Sequence, residues 1–444
     1  MAEELVPIQL IDEPEEALSP REQRLNRAAR VLQWAAIAYG VLSALLIIIG
    51  VVAAVSANAG LFGILQQALL MRYPGAPDSA VAVLVLLTQL NLSLLLVMMV
   101  GVLARELWAI PAMLILAVAN GASILILGFT PAVIALVAIV WALIIIAPEI
   151  RAFRFNPVML KELRGRMRGV RAFVVLTVYL GLMSAFMALL YLIALPANQI
   201  SGSAAAGEIG RVLFAGVVGI ELLLIIFIAP AFTAGAITGE RERQTYDLLK
   251  TTLLPAPSFV LGKLESALSY VLLLLFAAIP LQSIAFLFGG VGELELVLAF
   301  IILLVTAITL GTVGIYFSTQ ASRTLSASVR AYSTTLVVTF AVPLILSIVL
   351  TIVTAPLRTL SPAVEAGLIY VDDFLRSMNP ITAALFSRQQ LVENQVLGFF
   401  SHTLASDGST IPRVSPWITF TIIYLVAATV LVVLSVRRMR KVEA

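Results

Sequence analysis

Residues 233–275, TAGAITGERERQTYDLLKTTLLPAPSFVLGKLESALSYVLLLL, place a dense group of charges between two long apolar runs. The rest of the 444-residue chain is strongly apolar: 61% of all residues are hydrophobic, 12% are charged, and the mean hydropathy is +1.06. These values lie far outside the range of soluble domains. The composition therefore predicts an all-α integral membrane protein, in which this stretch is a polar interruption between two membrane spans.

About ten segments are long and apolar enough to cross a bilayer as helices. A hydrocarbon core of about 30 Å needs about 20 apolar helical residues, and a helix satisfies its own backbone groups. The third and fourth spans are separated only by GFTP at 128–131, where a glycine and a proline predict a tight turn. The predicted transmembrane helices are residues 31–57, 80–103, 107–128, 131–148, 171–195, 211–238, 259–288, 295–318, 331–355 and 416–436.

The basic residues predict how these spans are oriented. Residues 1–30 begin acidic and end with four arginines, which predicts a disordered cytoplasmic tail. With ten spans, both termini then lie in the cytoplasm, as the positive-inside rule requires. The sequence predicts a multi-pass protein of the cell inner (plasma) membrane. Of the 28 Lys and Arg residues, only six would lie outside: Arg72, Arg211, Arg358, Arg376, Arg388 and Arg413.

Several kinds of chemistry are excluded by what the sequence lacks. There is no cysteine, and the single histidine, His402, is interpreted as a surface residue. The net charge of +3 is too small to indicate nucleic-acid binding. No phosphate-binding loop occurs, since LGKLE at 261–265 lacks the first glycine and the hydroxyl residue, and Asp372–Asp373 is interpreted as a polar helix face. We therefore expect no cofactor, metal or catalytic site in this chain.

Residues 155–170 predict an amphipathic helix lying at the cytoplasmic interface. Asn156 is a good N-cap and Pro157 suits the first helical position. An apolar stripe would face the acyl chains while basic side chains face the head groups. The alternative is an ordinary positively charged loop that happens to be helical. The stripe is Phe155, Met159, Leu163, Met167 and Val170, and the basic residues are Lys161, Arg164, Arg166 and Arg168.

Residues 239–254 predict a second short amphipathic helix outside the bilayer. Thr238 or Gly239 can cap it, Glu240 and Glu242 favour its positive N-terminal end, and Arg243 can pair with Asp247 one turn later. PAP at 255–257 ends it, and the alternative is a solvated loop whose charges face water. The less polar side would consist of Tyr246, Leu249 and Leu253, with Thr245 and Leu248 beside them.

The two motifs, NPVMLKELRGRMRG and GERERQTYDLLKTTLLPAPSFVLGKL, are separated by two long spans. Over about residues 155–440 this order resembles the permease (transmembrane) subunit of ABC-type exporters of the type 2 branch. The resemblance implies a six-span permease core at 149–440, with an interfacial elbow helix at 155–170 and a coupling helix at 239–254. The implied coupling residues are Gly239, Glu240, Arg241, Glu242, Arg243, Thr245, Leu248 and Leu249; the implied elbow residues are Asn156, Pro157, Lys161, Glu162, Arg164, Arg166 and Arg168.

The resemblance also implies partners. The coupling helix would dock on a separate ATP-binding cassette ATPase, which would bind ATP and Mg. A second permease chain would complete a homo- or heterodimer in contact with membrane lipid.

Two regions are less clearly assigned by the sequence. Ser361-Pro362 and Asn379-Pro380 predict helix starts within an external region at 356–415, and residues 401–416 are interpreted as an exposed loop. Residues 31–148 form a four-span N-terminal region without a counterpart in the six-span core. This region could dock laterally, recruit a partner or shield a substrate path.

Glu221 is the one carboxylate well inside a predicted span, and it is expected to face protein or water. It either lines a transport pathway or gate, or it is a hydrogen-bonded packing group. For the whole chain, the leading hypothesis is an ATP-driven exporter subunit. The alternatives are a membrane scaffold or assembly protein and an ion-coupled secondary transporter, and the substrate is left open.

Overall fold

The computed structural model describes residues 19–55, 87–167, 170–197, 203–246, 254–354, 361–394, 397–406, 408 and 410–443. Within these residues, nine helices are long and apolar enough to cross a membrane. A shorter apolar helix, Asn91–Ala104, lies in the second predicted span, whose residues 80–86 are outside the described part. The prediction of an all-α membrane protein with about ten spans is therefore confirmed.

The N-terminal region contains α1 (Pro20–Val55), α2 (Asn91–Ala104), α3 (Ala109–Leu127) and α4 (Ala132–Ile146), followed by a 3-10 turn at Ala147–Ala152. The predicted turn between α3 and α4 is confirmed, because Gly128 ends α3 in a left-handed conformation with φ of 65°.

The boundary of the N-terminal tail was predicted wrongly, since α1 begins at Pro20 rather than near residue 31. Ser19 and Glu22 cap this helix reciprocally: each backbone amide donates to the other residue's side chain, at 3.2 and 3.3 Å. This capping box, followed by the arginines, extends the first helix by about three polar turns before residue 31. Residues 1–18 of the tail are outside the described residues.

The remaining chain forms the core. It contains α5 (Pro157–Met167), α6 (Val170–Ala197), α7 (Ser203–Ala234), α8 (Thr238–Glu242), α9 (Ala256–Leu287) and α10 (Glu293–Gln320). Helix α11 (Thr324–Leu336) continues through a π-helical turn at Val337–Ala341 into α12 (Val342–Thr354). The last elements are α13 (Pro362–Met378), α14 (Pro380–Asn394), the strands β1 (Phe399–Thr403) and β2 (Thr410–Val414), and α15 (Pro416–Glu443).

Helix α10 is central to the core and packs against α7, α11 and α15. Its approach to α7 is so close that a Cβ on Gly314 would lie 1.9 Å from Thr233 Oγ1. At the opposite end of α7, a Cβ on Gly210 would lie 2.2 Å from the carbonyl oxygen of Gly289. Gly314 therefore allows α7 and α10 to pack closely at one end, and Gly210 allows α7 to approach the turn that precedes α10 at the other.

The four-span N-terminal region docks laterally on the core. Helix α2 contacts α9 and α15, while α1 contacts α2 and α4. One apolar cluster joins buried residues of this region, such as Leu95 and Met113, to Phe259 and Val260 of α9 and Val432 of α15. Of the three roles that the sequence left open, lateral docking is the one seen in the structure.

The end of the bundle formed by α13, α14 and the two strands is called here the hairpin end. Helices α13 and α14 begin at Pro362 and Pro380, as predicted. The prediction of an exposed loop at 401–416 was wrong, because β1 and β2 pair as an antiparallel hairpin in which His402 lies opposite Ile411. Leu404 and Ile411 are buried against Ala366 of α13, and burial of these apolar side chains accounts for the ordered hairpin.

The acidic pair on α13 is neutralised by ion pairs. Asp372 binds Arg376 at 2.5 Å, one turn later on the same helix. Asp373 accepts two hydrogen bonds from Arg413 of β2, with Nε at 2.8 Å and Nη2 at 2.5 Å. These two carboxylates therefore serve as a polar helix face and an anchor for the hairpin, which agrees with their interpretation from the sequence.

Candidate partner-docking site at the charged end

The opposite end of the bundle, built from α5, α8, the first turns of α9 and the end of α10, is called here the charged end. The prediction of one helix over 239–254 was wrong. Helix α8 ends at Glu242, and Gln244 has a left-handed φ of 57°, which breaks the helix. The amide of Thr245 donates to the carbonyl of Glu240 at 3.0 Å and closes this turn.

The cap of α8 also differs from the prediction. Ile237 precedes the helix, and the hydroxyl of Thr238 donates to the carbonyl of Ala234 rather than capping α8. Tyr246 is helical and buried. Residues 247–253, which include the implied coupling residues Leu248 and Leu249 and the predicted partner Asp247, lie outside the described residues.

A buried lysine connects α8 to two other helices. Lys263 of α9 is only 3% exposed, and its Nζ lies 2.8 Å from Glu240 Oε1. The same Nζ forms an ion pair with Glu162 of α5. An ammonium group has three donors and no acceptor, and it is rarely buried unless it is paired. Lys263 therefore links α5, the short helix α8 and the apolar helix α9.

Helix α8 is fixed on another side by the end of α10. Arg241 Nη1 donates to the carbonyls of Thr319 and Ala321, at 3.2 and 2.9 Å. Ser318 Oγ accepts hydrogen bonds from the amides of Ile237 and Thr238, at 3.0 and 3.1 Å. Because Ser318 and Thr319 belong to α10, α8 cannot shift without straining or breaking these contacts.

Glu242 extends this attachment to α11. Its carboxylate accepts from the backbone amide of Thr324 at 2.7 Å and from the hydroxyl of Thr324 at 2.9 Å. Thr324 is the first residue of α11, so the carboxylate satisfies a donor that a helix start leaves unpaired. Helix α8 is thus attached to α9, α10 and α11.

Helix α5 has the predicted N-terminus. Asn156 Oδ1 accepts from the amides of Val158 and Met159, at 3.0 and 3.4 Å, and Pro157 is the first helical residue. Asn156 is also 3% exposed, and its Nδ2 donates to Glu106 Oε1 at 2.6 Å and to the carbonyl of Ser258 at 2.7 Å. The cap thus also connects the N-terminal region to α9.

Glu106 is a buried carboxyl at this connection. Burial raises its pKa to about 7, the charge of Glu265 adds to the rise, and the hydrogen bond from Asn156 opposes it. Glu265 in turn accepts a hydrogen bond of 2.8 Å from Trp108 Nε1. The charge of Glu106 therefore changes near neutral pH at the point where the N-terminal region meets the core.

The other elbow residues lie on the outside of α5. Lys161 and Arg164 are exposed, as the interfacial-helix hypothesis expects. The apolar residue Phe155 is 65% exposed, which suits a side chain facing lipid. Arg166 belongs to α5, although its side chain is not among those described, and Arg168 is outside the described residues.

An open cleft of about 520 Å³ lies between α5, α8 and α9. A Cβ added at Gly165 or Gly239 would have no atom within 4 Å. The cleft is therefore open beside both glycines. Exposed Arg243 lies at the cleft, and Lys263 with its two carboxylates lies inside it. The cleft is lined by Glu162, Gly165, Gly235, Ala236, Gly239, Glu240, Arg243 and Lys263.

Glu221 is not part of this site. It lies in α7, is 1% exposed, and accepts a hydrogen bond of 2.7 Å from Gln282 of α9. Its other oxygen, Oε1, has no hydrogen-bond partner among the described residues, and the carboxyl borders a cavity of about 10 Å³ beside Tyr179 and Val271. Glu221 therefore faces protein, which is one of the two environments, protein or water, that the sequence predicts for it.

The structure brings together residues from both predicted motifs and adds residues that the sequence reasoning missed. Lys263 lies in the second motif and in the incomplete phosphate-binding pattern but was not predicted as a site residue, and neither Glu106 nor Ser318 was singled out. A lysine inside the first turns of a membrane span, such as Lys263 in α9, predicts a carboxylate partner, because an unpaired charge there is costly. The sequence does not indicate which carboxylates these are, since Glu162 and Glu240 are 101 and 23 residues away.

Comparisons with known proteins add no family assignment. No protein-family model matches the sequence, and no curated protein sequence matches it. The interpretation of the charged end therefore rests on its motifs and its geometry.

Proposed function

We propose that this chain is the transmembrane subunit of an ATP-driven ABC exporter, and that a separate ATP-binding cassette ATPase docks at the charged end. The observation that carries the proposal is the attachment of α8 to α9, α10 and α11 beside an open cleft. The order of the two sequence motifs supports the same assignment. ATP and Mg would be bound by the partner, because this sequence has no phosphate-binding loop.

Movement of the ATPase must reach the membrane through a mechanical connection. A membrane span responds to nucleotide binding elsewhere only if a rigid element outside the bilayer is held by the ATPase. Glu240 and Arg241 already bind their own chain, through Lys263 and the carbonyls of Thr319 and Ala321. They would transmit movement, whereas exposed Arg243 and the walls of the cleft would contact the partner.

The proposal includes the orientation and the assembly. The charged end would face the cytoplasm of a bacterial cell, with both termini on that side of the inner (plasma) membrane. A second permease chain, identical or different, would complete the transporter, and membrane lipid would cover the exposed apolar surfaces. The positive-inside rule supports this orientation, because most of the basic residues lie at or near the predicted cytoplasmic loops.

The test is to purify the tagged chain from its native cells in a mild detergent and measure Mg-dependent ATP hydrolysis. Wild type should carry an ATPase with a phosphate-binding loop, identified by mass spectrometry. In the variant Gly239→Leu, the co-purified ATP hydrolysis should fall at least about tenfold, because the leucine side chain would fill the cleft and clash with the docked partner. Its Cβ meets no atom within 4 Å, so the chain itself should still fold.

The matched control is Gly121→Leu in α3, where an added Cβ likewise meets no atom within 4 Å. This variant should retain both the ATPase and its activity. The proposal is wrong if wild type carries no ATP-hydrolysing protein, or if Gly239→Leu retains it in full.

A further inference from the structure

A trench lies among α7, α10 and α14 toward the hairpin end, and it shares no lining residue with the cleft at the charged end. Its walls are apolar faces of three helices, including Val218 of α7, Leu298 of α10 and Ala384 of α14. The cavity has a volume of about 80 Å³, well above the roughly 10–15 Å³ that one water needs. Along α7 it follows residues 214–222, which span roughly 12 Å at 1.5 Å per residue.

Polar groups are concentrated at one end of the trench. Glu295, near the start of α10, binds Arg388 Nε at 3.0 Å and the amide of Gly292 at 2.9 Å. Ser387 is 1% exposed and lines the trench, and its hydroxyl has no hydrogen-bond partner among the described residues. A buried hydroxyl without a partner costs free energy, so a ligand that accepts a hydrogen bond would be stabilised here.

The trench runs along the spans, from a polar end near the hairpin end to an apolar end deeper in the bundle. Helices α7 and α10 run side by side, with Gly210 close to Gly289 at one end and Thr233 close to Gly314 at the other. Glu295 and Phe214 therefore lie toward the hairpin end, whereas Leu222 and Ile302 lie deeper in the bundle. A polar end near the membrane surface and an apolar end toward its centre match the polarity of a lipid in one leaflet.

The trench opens sideways. Gly219 of α7 is exposed, an added Cβ there would meet no atom within 4 Å, and Leu385 of α14 is 54% exposed. A chain in the surrounding bilayer can thus enter between α7 and α14. Because Arg388 is already paired with Glu295, the site does not require an anionic head group.

We propose that this trench binds one acyl chain of a membrane glycerolipid from the leaflet at the hairpin end. The chain would lie along residues 214–222, and an ester oxygen of the lipid would accept a hydrogen bond from Ser387. The inference depends only on the membrane location of the chain and on the trench, so it stands or falls separately from the exporter proposal.

The test reconstitutes the full chain in nanodiscs of phosphatidylcholine containing a trace of phosphatidylcholine with a diazirine on one acyl chain. After irradiation, mass spectrometry measures the lipid adducts on each peptide. Wild type should be labelled on α7 and α10 around Val218 and Leu298. Gly219→Leu should reduce this labelling about tenfold by filling the opening. Ser387→Ala should reduce it about threefold, by removing one hydrogen bond.

The control is Gly181→Leu in α6, which is also exposed and also has no atom within 4 Å of an added Cβ. It should label the trench like wild type. The proposal is overturned if Gly219→Leu is labelled like wild type, or if the lipid-exposed face of α6 at Leu182 is labelled as strongly as the trench. A parallel sample with a diazirine fatty acid distinguishes the ligand, and labelling by the fatty acid alone would also overturn the proposal.

Discussion

Replacing Lys263 by methionine should detach α8 from α5 and α9 and weaken its attachment to the charged end. The change keeps an unbranched side chain of similar length but leaves the carboxylates of Glu162 and Glu240 without their shared cation. Removing one partner of a buried ion pair typically costs about 3–5 kcal/mol. The two carboxylates are 19% and 26% exposed, so water can partly replace the lysine, and we expect a cost of about 3 kcal/mol.

Hydrogen exchange measures this loss directly at α8. A fall of about 3 kcal/mol in the free energy of local opening corresponds to exchange about 150-fold faster. The affected amides should be those of Arg241, Arg243 and Thr245, whose acceptors are the carbonyls of Ile237, Gly239 and Glu240. Amides in the middle of α10 should exchange as in wild type, because no bond to them is removed.

Two further variants test the cause. Lys161→Met removes an exposed lysine of α5 and should change exchange at α8 by less than about threefold. Combining Lys263→Met with Glu162→Gln and Glu240→Gln removes the unpaired charges, so the triple variant should exchange more slowly than Lys263→Met alone. If the α8 amides exchange as slowly in Lys263→Met as in wild type, the buried ion pairs do not hold this segment.

Three other predictions concern the charged end, the hairpin end and the buried carboxyl. Burial raises the pKa of Glu106 to about 7, so folding favours its neutral form: the chain should lose stability as pH rises from 5 to 8, and Glu106→Gln should lose less, measured by unfolding temperature. Asn156→Ala should cost about 1–3 kcal/mol in the same assay, because it removes a helix cap and two buried hydrogen bonds, while Asn156→Ser should restore part of the cap. Single cysteines at exposed Gln244 and Ser406 should label from opposite sides of the membrane in intact cells; labelling from the same side would contradict the proposed topology.

The sequence by itself determined the membrane fold and most of its helix limits. Apolar runs of about 20 residues must form helices in a bilayer, because no other local structure satisfies their backbone there. Local signals were equally decisive where one residue type controls the backbone: Gly128 ends α3, and Asn156-Pro157 and Asn379-Pro380 begin α5 and α14. These features depend on neighbours within a few residues, which the sequence displays directly.

Tertiary structure decided what local rules could not. The charge pattern predicted that the helix would continue beyond Gln244, but the backbone turns there. Just before this turn, Glu240, Arg241 and Glu242 contact three other helices. The strands at the hairpin end form because Leu404 and Ile411 are buried against α13, although the segment reads as an exposed loop. Such contacts join residues far apart in the chain, so no local pattern records them.

The same limit applies to individual charges. A lysine near the start of a span must find a counter-charge because burying it alone is costly, and the sequence states that need. Only the packing of α5, α8 and α9 shows that Glu162 and Glu240 are the carboxylates that neutralise Lys263. Likewise, the sequence places Glu221 inside a span, but the partner Gln282, one helix away in space, is determined by how α7 and α9 pack.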